Sequence, residues 1–156
     1  MDFISSPVIS KRKKISVLIA GNNPVDLSNI YEHLYNVRQI DFNAEVAFDL
    51  HDLFKKADLV HPDCIVIDDN ISEEFGALLV RIKRNHRTKN IPLVLITNDD
   101  KFKIEKGEAK ELIEKSSLSK ETLSQAILGS LNLHDFKDQL LKRMENRKKV
   151  LAGMRH

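Results

Sequence analysis

Residues 62–70 read PDCIVIDDN, in which a turn-forming Pro-Asp pair precedes four apolar residues, two carboxylates and an amide. A short apolar run bounded by turn residues is typical of a strand that is buried on both faces. Such strands belong to parallel sheets, which helices cover on both sides. The segment therefore predicts a central strand whose carboxyl end carries Asp68 and Asp69.

Similar segments lie on both sides of this strand. Residues 15–20 (ISVLIA) and 91–97 (IPLVLIT) are apolar runs, residues 42–48 begin with apolar and polar side chains in alternation, and residues 112–113 are a minimal fifth strand. Stretches with the spacing of an amphipathic helix lie between them. The apolar positions of these helices are Leu27, Ile30, Tyr31 and Leu34; Leu50, Leu53, Phe54 and Ala57; Phe75, Leu78, Leu79 and Ile82; and Leu123, Ile127 and Leu131.

This alternation predicts an α/β fold with a doubly wound, five-stranded parallel sheet over residues 15–131, because right-handed crossovers place helices on both faces. Residues 98–106 are the weakest part of the pattern and support at most a short helix. Ser119 is a candidate helix cap, but neither Glu nor Gln follows three positions later. We therefore expect only half of a capping box there.

Two basic ends flank an acidic central region. Residues 1–14 carry a net charge of +3 and residues 134–156 carry +4, whereas the residues between them carry −5. We interpret residues 1–14 as a flexible basic lead-in and residues 132–156 as a basic amphipathic helix. The apolar stripe of this C-terminal helix consists of Leu133, Phe136, Leu140, Met144 and Leu151.

The stripe has to be covered, either by its own domain or by a second copy or another partner. A homodimer through the helix is therefore one hypothesis, although two heptads are too few to indicate a coiled coil by themselves. Charge runs are usually solvated, so binding of the basic ends to nucleic acid or to a membrane surface is the least favoured interpretation.

Composition limits the class of protein. A chain of 156 residues with 42% hydrophobic residues can form one ordinary domain without a metal ion or a disulfide. Its single cysteine, Cys64, lies in an apolar run and is interpreted as a small buried hydrophobe, which is typical of a reducing cytoplasm. No apolar stretch approaches the roughly 18 residues of a membrane span. We expect a cytoplasmic protein without a membrane span.

Polar residues follow the predicted strands. Gly21 and Asn22 follow the first strand, Asp68 the third, Thr97 the fourth and Lys115 the fifth. Ligands and chemistry gather beyond the carboxyl ends of parallel strands. We therefore expect a carboxylate, a hydroxyl and an ammonium group to converge at one edge of the sheet.

The chain here resembles the receiver domains of two-component response regulators, which have a flavodoxin-like fold. The resemblance covers residues 14–131, and its most specific part is the third-strand segment. Its motifs are residues 17–24 (VLIAGNNP), 62–70 (PDCIVIDDN), 91–97 (IPLVLIT) and 109–115 (AKELIEK).

The resemblance implies roles for four residues. Asp68 would be the phosphoacceptor, a carboxylate nucleophile that takes a phosphoryl group from a kinase histidine or a small phosphodonor. Thr97 would bind the phosphoryl oxygens, and Lys115 would pair with Asp68 at rest and with the phosphoryl group afterwards. Asn70 would offer its backbone carbonyl, together with the Asp68 carboxylate, to Mg²⁺.

The chain departs from the receiver pattern in three places. Gly21 and Asn22 stand where receivers place the acidic pair that holds Mg²⁺, so we expect Asn22 to be at most a weak ligand and Mg²⁺ binding to be weakened. Asp69 could replace the missing carboxylates, but on a continuing strand it would point to the opposite face. Leu112 replaces the usual aromatic residue, and Ser116 replaces the proline that normally follows the lysine.

Two functional hypotheses follow from these residues. The favoured one is an atypical receiver that acts mainly through contacts with signalling proteins, such as a histidine kinase or a downstream partner, and is not an enzyme. The alternative is a stand-alone receiver that is phosphorylated on Asp68. An unrelated flavodoxin-like binding module is a third idea, which the lack of a phosphate-binding loop at residues 21–24 disfavours.

Overall fold

The computed structural model describes residues 13–98 and 111–131, and in addition Lys142, Met144 and Glu145. The described residues form a five-stranded, all-parallel sheet with the strand order β2-β1-β3-β4-β5. This topology confirms the predicted doubly wound sheet. The strands are β1 (Lys13–Ala20), β2 (Ile40–Ala47), β3 (Cys64–Asp68), β4 (Leu93–Ile96) and β5 (Glu111–Ile113).

Four α-helices connect and cover the strands in the described part of the chain. They are α1 (Pro24–Tyr35), α2 (Leu50–Val60), α3 (Phe75–Arg84) and α4 (Lys120–Ser130). Helix α1 begins where Asn23 accepts hydrogen bonds from two backbone N–H groups, and Pro24 occupies the first helical turn, where its missing N–H costs nothing.

Alternate residues of β1 face two separate cores, as the period of a strand requires. Val17 and Ile19 pack in the first core with side chains of α1 and α4, whereas Leu18 and Ala20 pack in the second core with side chains of α2 and α3. Each core covers one face of the sheet with helices, so the face of the sheet on either side is buried.

The bounds of several elements differ from the predictions. Strand β1 begins at Lys13, two residues inside the predicted lead-in, because pairing with β2 extends it beyond the apolar run. Residues 1–12 of the lead-in lie outside the described residues, as do residues 99–106 of the predicted short helix. Strand β4 is confined to Leu93–Ile96, although the apolar run is longer.

The N-terminus of α4 has a complete capping box, so the expectation of half a box was wrong. Ser119 accepts a hydrogen bond from the backbone N–H of Thr122, and the Thr122 hydroxyl accepts one from the backbone N–H of Ser119 at 2.9 Å. A threonine hydroxyl thus performs the role for which the sequence pattern requires a longer Glu or Gln side chain.

The three described positions of the C-terminal segment are helical. Met144 is buried and belongs to the first core, whereas Lys142 and Glu145 are exposed. The rest of residues 132–156, and with it the full predicted helix, lies outside the described residues. Nowhere in the described chain is a helix both long and apolar enough to cross a membrane.

Candidate functional site

The centre of the site is Asp68, the last residue of β3. Its side chain is only 4% exposed, and its Oδ1 accepts a hydrogen bond of 3.0 Å from the backbone N–H of Asn70. Residues Asp69–Ile71 form a 3-10 turn immediately after the strand. The chain therefore leaves the extended geometry of β3 at Asp69.

Lys115 reaches this centre from the short 3-10 helix that follows β5. Its Nζ lies 3.0 Å from Asp68 Oδ1 and 2.5 Å from Asp69 Oδ1. One ammonium group therefore bridges two neighbouring carboxylates, whose side chains are 4% and 19% exposed. The expected convergence of Asp68 and Lys115 is present in the structure.

Thr97, directly after β4, completes the cluster. It is fully buried, its backbone N–H bonds to the carbonyl of Ile113 at 3.0 Å, and its hydroxyl donates to Asp69 Oδ2. Asp69 thus reaches the cluster, although on a continuing strand it would point to the face opposite Asp68. Strand geometry ends at Asp68, so the alternation of a strand no longer applies to the following residue.

Burial and charge shift the titration of this cluster. Burial raises the pKa of the Asp68 carboxyl above its ordinary value of 3.8, although the Asn70 N–H and Lys115 act in the opposite direction. Burial alone would lower the pKa of Lys115, but its contacts with Asp69 and Asp68 outweigh that effect and raise it above 10.5. Lys115 is therefore a firmly held cation.

At the end of β1, the side chains differ from those that the resemblance to receivers implies. The Asn70 side chain lies there: its Oδ1 accepts from the backbone N–H of Asn22 at 3.0 Å, and its Nδ2 donates to Asp26 Oδ2 at 3.2 Å. A Cβ at Gly21 would lie 2.9 Å from a Leu27 methyl group and 3.2 Å from Asn70 Oδ1. The space beside Gly21 is thus already filled.

The residues around Asp68 offer few oxygen ligands to Mg²⁺. Magnesium needs oxygen ligands in near-octahedral geometry. Asp68 Oδ1 already accepts from two donors, Gly21 has no side chain, and Asn70 fills the space beside it. Across residues 13–98 and 111–131 and the three further described positions, no three His, Cys, Asp or Glu side chains are grouped so that they could hold a metal ion.

A cleft of about 270 Å³ opens beside Asp68 and Lys115. The residues that line it are Asp26, Asn29, Ile30, His33, Asp68, Ile96, Lys115 and Leu118. The cleft gives a small molecule or a partner side chain access to the cluster.

The other two departures lie near β5. Leu112 is half-buried and packs against the second core, and the backbone N–H of Ser116 lies 3.4 Å from Asn98 Oδ1. Cys64 is buried as predicted, and burial raises the pKa of its thiol to about 12. A thiol that stays protonated is not a nucleophile, so this residue is part of the core.

Sequence reasoning missed the roles of Asp69 and Asp26. The signal for Asp26 was present, because a helix that begins at Pro24 places this residue in its first turn at the sheet edge. No comparable signal existed for Asp69, since the apolar run does not specify the residue at which β3 ends.

Comparison with known proteins identifies the fold. No protein-family model matches the sequence, and no curated protein matches it either. Solved structures match clearly. A protein from Chloroflexus aurantiacus, described as a response regulator, is 18% identical over 77% of this chain and 99% of its own, with a TM-score of 0.65.

Two further structures agree. The chemotaxis response regulator CheY4 of Vibrio cholerae is 19% identical over 76% of this chain and all of its own, with a TM-score of 0.64. The receiver domain of a Pseudomonas aeruginosa sensor histidine kinase, which has a magnesium ion in its active-site cleft, is 14% identical over 76% of this chain and 98% of its own, with a TM-score of 0.63.

These similarities define the class of protein at the level of fold. The chain has the flavodoxin-like fold of response-regulator receiver domains. The resemblance found in the sequence is thereby confirmed for the architecture, and the residues of the site lie where that architecture brings strand ends together.

Proposed function

We propose that this chain is an atypical receiver module of two-component (phosphorelay) signalling. It acts mainly through contacts with other signalling proteins, with weakened or absent Mg²⁺-dependent phosphorylation of Asp68. The observation that carries the proposal is the arrangement around Asp68 within the receiver fold. Lys115 bridges Asp68 and Asp69. No carboxylate follows β1, where the residues are Gly21 and Asn22.

The charge of the site supports the proposal that phosphorylation is weakened. Asp68, Asp69 and Lys115 together carry one net negative charge when both acids are ionised. Phosphoryl transfer depends mainly on positioning and on neutralising charge on the transferred group. A phosphodonor therefore meets a negative site without the acidic pair that would hold a compensating cation.

Exposed apolar side chains support a role in protein contacts. Tyr35 is 78% exposed and Val25 is 68% exposed, both on α1, and the Tyr35 ring is stacked on that of Tyr31 at a centroid distance of 6.4 Å. Aromatic side chains are enriched in protein interfaces. The partners are signalling proteins, and α1 lies beside the site, so a partner on α1 can respond to it.

The burial of Met144 in the first core favours packing of the C-terminal segment on its own domain over a homodimer. Light scattering of the full chain, and of a variant that ends at residue 133, tests this directly. We expect a monomeric mass for both proteins. A dimer that is lost with the segment would instead establish the homodimer hypothesis.

The alternative function is a stand-alone receiver phosphorylated on Asp68. Its specific support is the position of Asp68 in the cleft, with Lys115 at 3.0 Å. Transfer of a phosphoryl group would form a bond from an Asp68 oxygen to phosphorus and break the bond to the donor, whose leaving oxygen or nitrogen keeps the electron pair.

Intact mass after incubation with acetyl phosphate and Mg²⁺ distinguishes the two functions. We expect no added phosphoryl group on the native protein. Asn22→Asp restores one acidic residue at an exposed position, and Gly21→Asp/Asn22→Asp restores both. Because a side chain at position 21 contacts Leu27 and Asn70, Asn22→Asp is the principal variant.

The controls assign any phosphoryl group to its acceptor. Asp68→Ala removes the proposed acceptor, and Asp69→Ala removes its neighbour. Addition to the restored variants but not to the native chain supports the proposal. Addition to the native chain that is lost in Asp68→Ala would establish the alternative function.

A further inference from the structure

Both oxygens of the Asp69 carboxylate are held by donors at the centre of the site. Oδ1 lies 2.5 Å from the ammonium of Lys115, and Oδ2 accepts from the hydroxyl of Thr97. We propose that the Asp69 carboxylate itself occupies an oxyanion site. It accepts the hydrogen bonds of Lys115 and Thr97, which would otherwise bind a phosphate-like group beside Asp68.

The chemistry of the donors supports this assignment. An ammonium group and a hydroxyl group, fixed on two neighbouring strand ends, suit adjacent anionic oxygens, and such charge-assisted hydrogen bonds are stronger than neutral ones. A carboxylate and a phosphoryl group both present oxygens of this kind. The Asp69 side chain is 19% exposed, so the contacts are partly shielded from water and salt.

The backbone explains how the neighbour of Asp68 reaches these donors. The Asp68 side chain caps the 3-10 turn by accepting from the Asn70 N–H, and the turn starts at Asp69. The chain therefore leaves the extended path of β3 at that residue, and the Asp69 side chain contacts Lys115 and Thr97. Because Asp69 is covalently attached to the site, its effective concentration exceeds that of a dissolved anion.

This inference rests on the proposed function and specifies how that function is regulated. Lys115 and Thr97 are satisfied by the protein itself, so their arrangement does not depend on a phosphodonor. In this arrangement Lys115 contacts Asp69 as well as Asp68. Removing the Asp69 carboxylate should restore a response to a phosphate-like anion.

The test compares two variants that differ only at Asp69. Asp68→Asn is the background, because it removes the acceptor charge that would repel an anion. Inorganic phosphate is titrated into Asp68→Asn and into Asp68→Asn/Asp69→Ala, with backbone amide NMR shifts of residues 97 and 115 as the readout. We expect phosphate to bind the double variant at least about tenfold more tightly, a difference of about 1.4 kcal/mol.

Two controls keep the test decisive. Asp68→Asn/Asp69→Asn removes the charge with little change of shape and should bind phosphate more tightly than the background, even if the alanine variant folds poorly. Adding Lys115→Ala to the double variant should abolish binding, since the ammonium is then absent. Equal phosphate affinity with and without the Asp69 carboxylate would overturn the inference, and so would the absence of binding in both double variants.

Failure of this inference can be told apart from failure of the proposed function. Phosphate binding is measured without acetyl phosphate or Mg²⁺ and in a protein that lacks the acceptor carboxylate. A native chain that takes up a phosphoryl group on Asp68 contradicts the proposed function. Unchanged phosphate affinity across the Asp69 variants contradicts only the role of Asp69.

Discussion

One cation, Lys115, forms ion pairs with two neighbouring carboxylates, those of Asp68 and Asp69. Lys115 Nζ contacts both carboxylates, and Asp68 is the more deeply buried of the two. Removing the lysine would leave two neighbouring carboxylates without their shared cation, whereas removing either acid leaves an ion pair. The chemistry of the site therefore depends on which acid holds Lys115 more strongly.

The raised pKa of Asp68 predicts a pH dependence of stability. Because the pKa is higher in the folded protein than in the unfolded chain, the unfolded chain loses its proton first as pH rises. The contribution of Asp68 is thus complete below about pH 3.8, the ordinary pKa of an aspartate, and is lost as pH rises through the folded-state pKa. Relative to Asp68→Asn, the native protein should lose free energy of unfolding over this window.

Urea unfolding of both proteins, from about pH 3 to about pH 7, measures the difference. Asp58→Asn, at an exposed position of α2, controls for the loss of a surface carboxylate. A native protein that gains stability over Asp68→Asn as pH rises would contradict the assigned direction of the pKa shift.

Gly21 makes a second prediction at the residue scale. In Gly21→Ala the new Cβ would lie 2.9 Å from the Leu27 methyl group in the first core, and we expect overpacking to lower the free energy of unfolding by about 1–3 kcal/mol. Gly129→Ala is the matched control.

In that control the atoms nearest to the added Cβ belong to the carboxylate end of Glu111, which can move, and alanine favours the helix by up to about 1 kcal/mol. We expect Gly129→Ala to be neutral or stabilising. If the two substitutions lower the free energy of unfolding equally, the space beside Gly21 is less filled than the structure indicates.

At the scale of elements, the caps determine where helices begin beside the site. Helix α4 follows Lys115 by only a few residues, and its capping box links Ser119 to Thr122. We expect Ser119→Ala to lower the free energy of unfolding by about 1 kcal/mol, because the backbone N–H of Thr122 loses its side-chain acceptor.

Chemical denaturation compares this variant with Ser117→Ala, at an exposed side chain of the preceding 3-10 helix. The control should change the free energy of unfolding by less than about 0.5 kcal/mol. A cost for Ser117→Ala as large as that for Ser119→Ala would show that the capping box has no special contribution.

Most elements could be predicted from the sequence because apolar periodicity reports which face is buried. The predicted strand ends were therefore sufficient to bring Asp68, Thr97 and Lys115 to one edge of the sheet. The side-chain direction of Asp69 could not be predicted, because it depends on the single residue at which β3 becomes a 3-10 turn. The complete capping box was not predicted, because the Thr122 hydroxyl reaches the backbone N–H of Ser119 only in this local geometry.

At the scale of the whole molecule, two cores hold the sheet between pairs of helices, and Met144 adds to one of them. The apolar stripe of residues 132–156 predicted that Met144 is covered, but periodicity does not specify the covering surface. The structure places Met144 in the first core, with side chains of α1 and α4. Met144 thus shares a core with the helix that borders the cleft.

We expect Met144→Ala to lower the free energy of unfolding by about 1–3 kcal/mol, since it removes a buried side chain at the margin of the core. Thermal or urea unfolding should show a change below about 0.5 kcal/mol for the exposed control Lys142→Ala. Equal effects of the two substitutions would mean that the segment does not stabilise the domain.

Calorimetric titration with Mg²⁺ is the most direct way to distinguish a receiver that uses a metal ion from the atypical receiver proposed here. The native protein should bind Mg²⁺ at least about tenfold more weakly than Asn22→Asp, because the variant adds an anionic oxygen ligand beside Asp68. Asp68→Ala measures binding elsewhere on the protein. Native affinity equal to that of Asn22→Asp, and abolished by Asp68→Ala, would contradict the proposal, because the site would then hold its metal without the missing carboxylates.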